Sequence, residues 1–140
     1  ITGCSLNKVI KHHGVNFLEN KQKKLEILKS NKNDVVSLLG IASVKSTFDT
    51  DVWIYIERKT TVSQLTSLGR KKLLLNNVLI LEINSKGLLV KKTFFNMNDM
   101  NSLNLSKVET SVITSKNTFI KNILTSLRQK INDPLGKKSK

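Results

Sequence analysis

Hydrophobic residues near the start of the chain recur at helical spacing. The leucines between positions 18 and 28 share one face, and the lysines among them lie on the other. Asn16 precedes this stretch and Glu19 follows three residues later, which is the pattern of a capping box. The spacing predicts a short amphipathic helix over about 17–29.

The next segment predicts a second, shorter helix over about 32–39. Asn31 is a suitable N-cap, and Asp34 places a negative charge near the positive end of the helix dipole. Gly40 provides the stop, because glycine accepts the left-handed backbone that often ends a helix. A helix this short is not stable alone, so it must pack on another element.

Strand patterns follow. Residues 51–58 alternate between an aliphatic face and an aromatic-to-polar face. Residues 60–72 are interpreted as a loop or an irregular extension of that strand. A second strand is predicted over 78–83, a turn over 84–87, and a third strand over 88–95.

The order helix, helix, strand, strand, strand predicts an α+β fold. Two N-terminal helices are expected to pack on a three-stranded antiparallel sheet over residues 16–96, because three strands need a cover to be stable. Residues 97–140 are expected to form a C-terminal extension that contains one amphipathic helix.

The C-terminal extension begins with a polar, turn-like segment over 96–104, followed by a possible extended segment over 105–114. A helix is predicted over about 118–131, where apolar residues form a stripe flanked by Lys121 and Arg128. Two interpretations stay open: the helix folds back on the domain, or it docks on a partner or a membrane.

The N-terminus carries the sequence Ile1-Thr2-Gly3-Cys4, and Cys4 is the single cysteine of the chain. An aliphatic residue, a small residue, glycine and cysteine are the pattern that precedes lipid attachment in bacterial lipoproteins. Residues 1–3 are then the remnant of a cleaved signal peptide, and 4–15 form a lipidated tether. The alternative is a cytosolic protein with an ordinary cysteine. No segment approaches the roughly 18 apolar residues of a membrane span.

The formal net charge of +14 and the pI near 10.1 raise the possibility of nucleic-acid binding. Only three of the 24 basic residues are arginine, the side chain best suited to bidentate phosphate and base contacts. A lysine- and asparagine-rich composition is typical of A+T-rich genomes. A basic surface also attracts anionic lipid headgroups.

Motifs of catalysis and metal binding are not found in the sequence. It has no P-loop, no glycine-rich dinucleotide motif, no His-Glu-x-x-His and no Gly-x-Ser-x-Gly elbow. His12 and His13 are adjacent in the predicted tether, without further ligands nearby. We therefore expect a protein that is not an enzyme and that has no metal or cofactor.

These elements together resemble the BamE (SmpA/OmlA) family of outer-membrane lipoproteins, which belong to the β-barrel assembly machinery. The resemblance covers about residues 13–96. It has two departures: Lys29-Ser30-Asn31 stands where the family has a glycine turn, and Ala42 replaces a proline. The segments that carry it are the lipobox-like Cys4, His13-Gly14-Val15, the stretch from Leu25 to Val35, Leu38-Leu39-Gly40, the linker with Ser43 and Ser46-Thr47-Phe48, Asp51 to Glu57, and the turn Asn84 to Gly87 between two strands.

The resemblance implies a non-enzymatic lipoprotein subunit, anchored in the outer membrane through acyl chains such as palmitate on Cys4 and facing the periplasm. Its implied partners are the other lipoprotein subunits of the complex, with anionic phospholipid as a further contact and no nucleic acid. The alternatives are a basic nucleic-acid-binding domain and a periplasmic lipoprotein of the same fold with another binding or inhibitory role. The candidate partner or lipid contacts are Trp53, Tyr55, Phe94, Phe95, Phe119, Lys121 and Arg128.

Overall fold

A five-stranded antiparallel sheet forms the centre of the computed structural model, which describes residues 9–62, 71–102 and 115–132. Helices lie on both faces of the sheet. The strands are β1 (Val9–Gly14), β2 (Val44–Thr47), β3 (Asp51–Val62), β4 (Lys71–Ile83) and β5 (Leu89–Phe95). The helices are α1 (Leu18–Gln22), α2 (Lys32–Leu39), α3 (Met97–Ser102) and α4 (Ser115–Asn132).

The predicted fold class, two helices on a three-stranded sheet, is wrong because the sheet has two further strands. The sheet order is β1-β3-β4-β5, and β2 also pairs with β3. β4 runs along one edge of β3, so β1 and β2 share the other edge. These two strands are short and largely polar. Because backbone hydrogen bonds hold them in the sheet, their side chains show little of the hydrophobic–polar alternation from which strands are predicted.

β1 lies where the sequence predicted a tether. It pairs with the second half of β3, from Val9 opposite Val62 to Gly14 opposite Glu57. Gly14 has a φ of +86°, and a Cβ atom there would lie 1.7 Å from the carbonyl oxygen of Ile56. Only glycine permits this close approach of two backbones.

The helical layer, which is the segment 17–41 with α1 and α2, covers the first face of the sheet. α1 is much shorter than the predicted helix. The ammonium group of Lys92 in β5 donates hydrogen bonds to the carbonyl oxygens of Gln22 (2.8 Å) and Leu25 (2.9 Å), which satisfies carbonyls at the end of the helix. The buried residues of this core are Leu18, Leu25, Val35, Leu39, Ala42, Trp53, Tyr55, Leu79, Leu81, Ile83 and Leu89.

α2 matches its prediction at both ends. The side chain of Asn31 accepts a hydrogen bond from the backbone N–H of Asp34 (3.0 Å), and the Asp34 carboxylate accepts one from the N–H of Asn31 (2.9 Å). This is a complete capping box. Gly40 ends the helix with a φ of +78°.

α4 covers the second face of the sheet, so the central parts of β3 and β4 are buried on both sides. Its apolar stripe packs on the sheet, as in the first of the two interpretations. The predicted extended segment 105–114 lies outside the described residues, and α3 forms within the segment predicted as a turn. The buried residues of this second core are Val52, Ile54, Val78, Ile80, Leu124 and Leu127. Within the described residues, no helix has the length and apolar character that a membrane crossing requires.

Candidate functional site

Glu57 is a buried carboxylate beneath the start of the helical layer. Its side chain is 2% exposed and lies on the same face of β3 as Trp53 and Tyr55. It accepts hydrogen bonds from the backbone N–H groups of Phe17 (2.7 Å) and Leu18 (3.2 Å). The side-chain amide of Asn77 donates a third, at 3.3 Å. These donors compensate for the cost of burying the carboxylate and fix the start of α1 on the sheet.

Phe17 and Leu28 are the two non-glycine residues with positive φ among the described residues, at 59° and 65°. This left-handed region is unfavourable for a residue with a Cβ, by about 1–2 kcal/mol. Hydrogen bonds from the backbone N–H groups hold both residues there: that of Phe17 donates to the Glu57 carboxylate, and that of Leu28 donates to the carbonyl oxygen of Leu89 at 2.7 Å. Strain that the surrounding structure maintains is a reason to suspect function.

The side chains at these two strained positions point to solvent. Phe17 is 64% exposed and Leu28 is 66% exposed. We name the exposed large apolar residues of the helical layer the outer apolar set; they are Phe17, Ile27, Leu28, Val36 and Ile41. Single exposed apolar residues are ordinary, but several within one segment are typical of an interaction surface.

Lysines lie close to the outer apolar set in the sequence, and a further lysine, Lys59, lies close to Phe17 in space. Lys23, Lys24 and Lys29 are exposed within the same segment. The ammonium group of Lys59 lies 5.8 Å from the centre of the Phe17 ring, within the range of a cation–π contact. The helical layer therefore presents apolar side chains together with positive charge.

Two of the predicted contact residues, Trp53 and Tyr55, lie mainly in the first core. Trp53 is 7% exposed, and the ammonium groups of Lys45 and Lys32 lie 4.4 and 5.9 Å from its ring centre. The Tyr55 hydroxyl donates a 2.8 Å hydrogen bond to the carbonyl oxygen of Gly40. Burial raises the pKa of Tyr55 to about 12. Tyr55 is thus a packing residue that also fixes the end of α2.

The other predicted contact residues are divided between the two faces of the sheet. Phe94 is partly buried against the first core and Phe95 against the second, so neither is a fully exposed aromatic. Phe119 packs in the second core, where its ring centre lies 5.7 Å from that of Phe48. Lys121 and Arg128 lie partly exposed on α4. Cys4 lies outside the described residues.

An ion-pair cluster fixes the start of α4. The ammonium group of Lys116 lies 2.8 Å from the carboxylate of buried Glu82 and 3.2 Å from that of Asp49. The hydrogen bond to Glu82 is the main cause that raises the pKa of Lys116. The hydrogen bond from Lys116 is the main cause that lowers the pKa of Asp49.

The two adjacent histidines face opposite sides of the sheet, since neighbouring residues of a strand alternate. His12 lies 3.2 Å from the Glu57 carboxylate, and His13 pairs in register with Arg58. In the part of the chain that the structure describes, no group of three or more His, Cys, Asp or Glu side chains could hold a metal ion.

Sequence reasoning did not identify Glu57, Phe17 or Leu28 as important positions. Glu57 could have been found, because it continues the alternation of Trp53 and Tyr55 on a buried face. No local signal marks Phe17 or Leu28, because their conformation depends on hydrogen bonds to β3 and β5.

Comparisons with protein-family models, with curated proteins and with solved structures gave no match to this chain. The resemblance to the BamE lipoproteins therefore rests on the sequence motifs alone.

Proposed function

We propose that this chain is a non-enzymatic binding subunit, held at the outer membrane by a lipid on Cys4 and facing the periplasm. Its role would be to stabilise partner lipoproteins of the β-barrel assembly complex. The observation that carries the binding role is the outer apolar set, in which Phe17 and Leu28 expose large apolar side chains from a strained backbone. The membrane anchor and the identity of the complex come from the lipobox-like motif and the family resemblance.

The partner surface that fits the helical layer is apolar with carboxylates around it. The apolar side chains would be removed from water on docking, at about 25 cal/mol per Å². Lysines of the same segment would pair with the surrounding carboxylates, and the net charge of +14 would steer an acidic partner toward this chain. The proposed docking partner is therefore a protein subunit with an acidic, partly apolar surface.

The test of partner binding uses the double variant Phe17→Asn/Leu28→Asn, made in the full-length lipoprotein in its own cell. Asparagine tolerates the left-handed backbone, so the variant keeps the fold while it loses the apolar side chains. The matched control is Leu74→Asn, which alters an exposed leucine on β4, outside the helical layer. We expect in-cell crosslinking and mass spectrometry to recover barrel-assembly subunits with the wild type and the control, and at least about tenfold less with the double variant.

Recovery of no barrel-assembly subunit with the wild type would overturn the scaffold role. Equal recovery with the double variant would overturn the assignment of the helical layer as the docking surface. Intact-mass spectrometry of the membrane fraction tests the anchor separately, since an unmodified Cys4 in a soluble protein would contradict lipidation. Salt-sensitive crosslinks to DNA or RNA would favour the nucleic-acid alternative instead.

A further inference from the structure

A pocket of about 330 Å³ opens beside α4, on the face of the sheet opposite to the outer apolar set. Its volume lies at the lower end of the range of roughly 300–1,000 Å³ that is typical of small-molecule sites. β1, β3, α4 and the loop before β2 each contribute to its wall. The lining residues are His13, Gly14, Ser43, Ile56, Arg58 and Leu127.

Arg58 gives the pocket its charge. Its side chain is half-buried, and burial lowers the pKa of its guanidinium group. Its Nε donates a long hydrogen bond of 3.5 Å to the side-chain oxygen of Asn76, which is fully buried. No ion pair joins Arg58 to a carboxylate of the described residues. With no carboxylate of the described residues beside it, this partly desolvated guanidinium group is suited to bind an anion by charge-assisted hydrogen bonds.

The remaining wall of the pocket combines polar and apolar groups. His13 stands directly opposite Arg58 in the register of β1 and β3, and Ser43 adds a hydroxyl group. Ile56 and Leu127 supply aliphatic surface next to the guanidinium group. A ligand that fills this pocket needs an anionic head and a short apolar body.

We propose that this pocket binds a small organic carboxylate with a short aliphatic chain. The carboxylate would accept two parallel hydrogen bonds from the terminal nitrogens of Arg58, the geometry for which a guanidinium group is suited. The aliphatic chain would lie against Ile56 and Leu127. This site is separate from the helical layer, and its occupancy does not depend on the proposed partner binding.

The test probe is hexanoate, with hexanamide as its neutral isostere and acetate as the probe that lacks the aliphatic chain. The two histidines provide an internal comparison, because His13 lines the pocket and His12 faces Glu57 on the other side of the sheet. In NMR titrations of the 140-residue chain, we expect hexanoate to shift the imidazole Cε1–H signal of His13 saturably and to leave that of His12 in place. Hexanamide and acetate should each bind at least about tenfold more weakly.

The variant arm compares Arg58→Gln with Lys59→Gln, which removes the same charge from the neighbouring residue of β3, on the other face. We expect Arg58→Gln to weaken hexanoate binding by at least about tenfold, and Lys59→Gln to leave it within about twofold. Equal weakening by the two variants would overturn the site in favour of general charge attraction. Equal binding of hexanoate and hexanamide to the wild type would also overturn it, and that comparison requires no variant to fold.

Discussion

The carboxylate of Glu57 accepts a 2.7 Å hydrogen bond from the backbone N–H of Phe17, a residue 40 positions earlier in the chain. This bond joins the central strand of the sheet to the strained residue that begins α1. It holds Phe17 in its left-handed conformation, so the exposure of the Phe17 ring depends on a carboxylate buried beneath it.

Glu57→Gln should lower the free energy of unfolding by about 1–3 kcal/mol. The substitution removes the charge and places an amide donor among the N–H groups that the carboxylate now satisfies. Urea unfolding followed by circular dichroism measures the change. Glu19→Gln is the control, because Glu19 is 57% exposed and lies 4.0 Å from its partner Lys23. Equal stability of the wild type and Glu57→Gln would contradict the anchoring role.

Tyr55→Phe should lower the free energy of unfolding by about 1 kcal/mol, since it leaves the Gly40 carbonyl without its donor. Tyr55 is the single tyrosine of the chain, so absorbance at 295 nm reports its ionisation alone. The wild type should form tyrosinate near pH 12, or earlier only as it unfolds. A folded protein that forms tyrosinate near pH 10 would contradict the burial of the hydroxyl.

The same pKa predicts a loss of stability at high pH. The tyrosine of the unfolded chain releases its proton near pH 10, whereas the folded protein keeps it to about pH 12. Between these values the folded state binds more protons, so the stability falls as the pH rises. The contribution is fully present below pH 10. Tyr55→Phe should show a smaller loss of stability over this window.

Gly14→Ala should disturb the structure much more than Gly87→Ala, although both glycines have a φ near +85°. A Cβ at Gly87 has no neighbour within 4 Å, so that variant should lose only about 1–2 kcal/mol through backbone strain. A Cβ at Gly14 would overlap the carbonyl of Ile56, so β1 must move away from β3. Amide hydrogen exchange of β1 should become fast in Gly14→Ala alone, and equal protection in both variants would refute the close approach.

Lys116→Gln should lower the free energy of unfolding by about 1–3 kcal/mol, because it leaves the Glu82 carboxylate without its nearest cation and so weakens the attachment of α4. Lys91 remains, 3.6 Å away and on an exposed side chain. Because the pKa of Lys116 is raised, its contribution is complete below the ordinary lysine pKa of 10.5 and is lost as the pH rises through the raised value. Urea unfolding should show a much smaller change for the control Lys29→Gln, because solvent screens its exposed ion pair with Glu26.

Local signals were sufficient for α2 and for the turn before β5. The capping box of Asn31 and Asp34 and the stop at Gly40 depend only on neighbouring residues, and the structure confirms the bounds 32–39. Gly87, the last residue of the predicted turn, has a positive φ, as glycine in a tight turn often does. The alternation of residues 51–58 also predicted the start of β3 correctly, although the strand continues to Val62.

Long-range contacts determine what the sequence pattern did not predict. The predicted long first helix ends at Gln22, where Lys92, distant in the sequence, hydrogen-bonds to the carbonyls of Gln22 and Leu25. β1 and β2 bind an edge of β3 mainly through backbone hydrogen bonds, which leave little mark on the pattern of hydrophobic side chains. The pocket at Arg58 likewise forms only after α4 packs on the sheet.

The inclusion of β1 in the sheet also limits how far the protein could extend from a membrane. A fully extended chain covers at most about 3.6 Å per residue, so a lipid on Cys4 would hold Val9 within about 18 Å of the bilayer surface. Val9 pairs with Val62, and Val62 pairs with Lys71, so those ends of β3 and β4 would lie at most about 5 and 10 Å farther from the bilayer. A lipid on Cys4 would thus hold this end of the sheet near the bilayer and restrict the orientation of the domain.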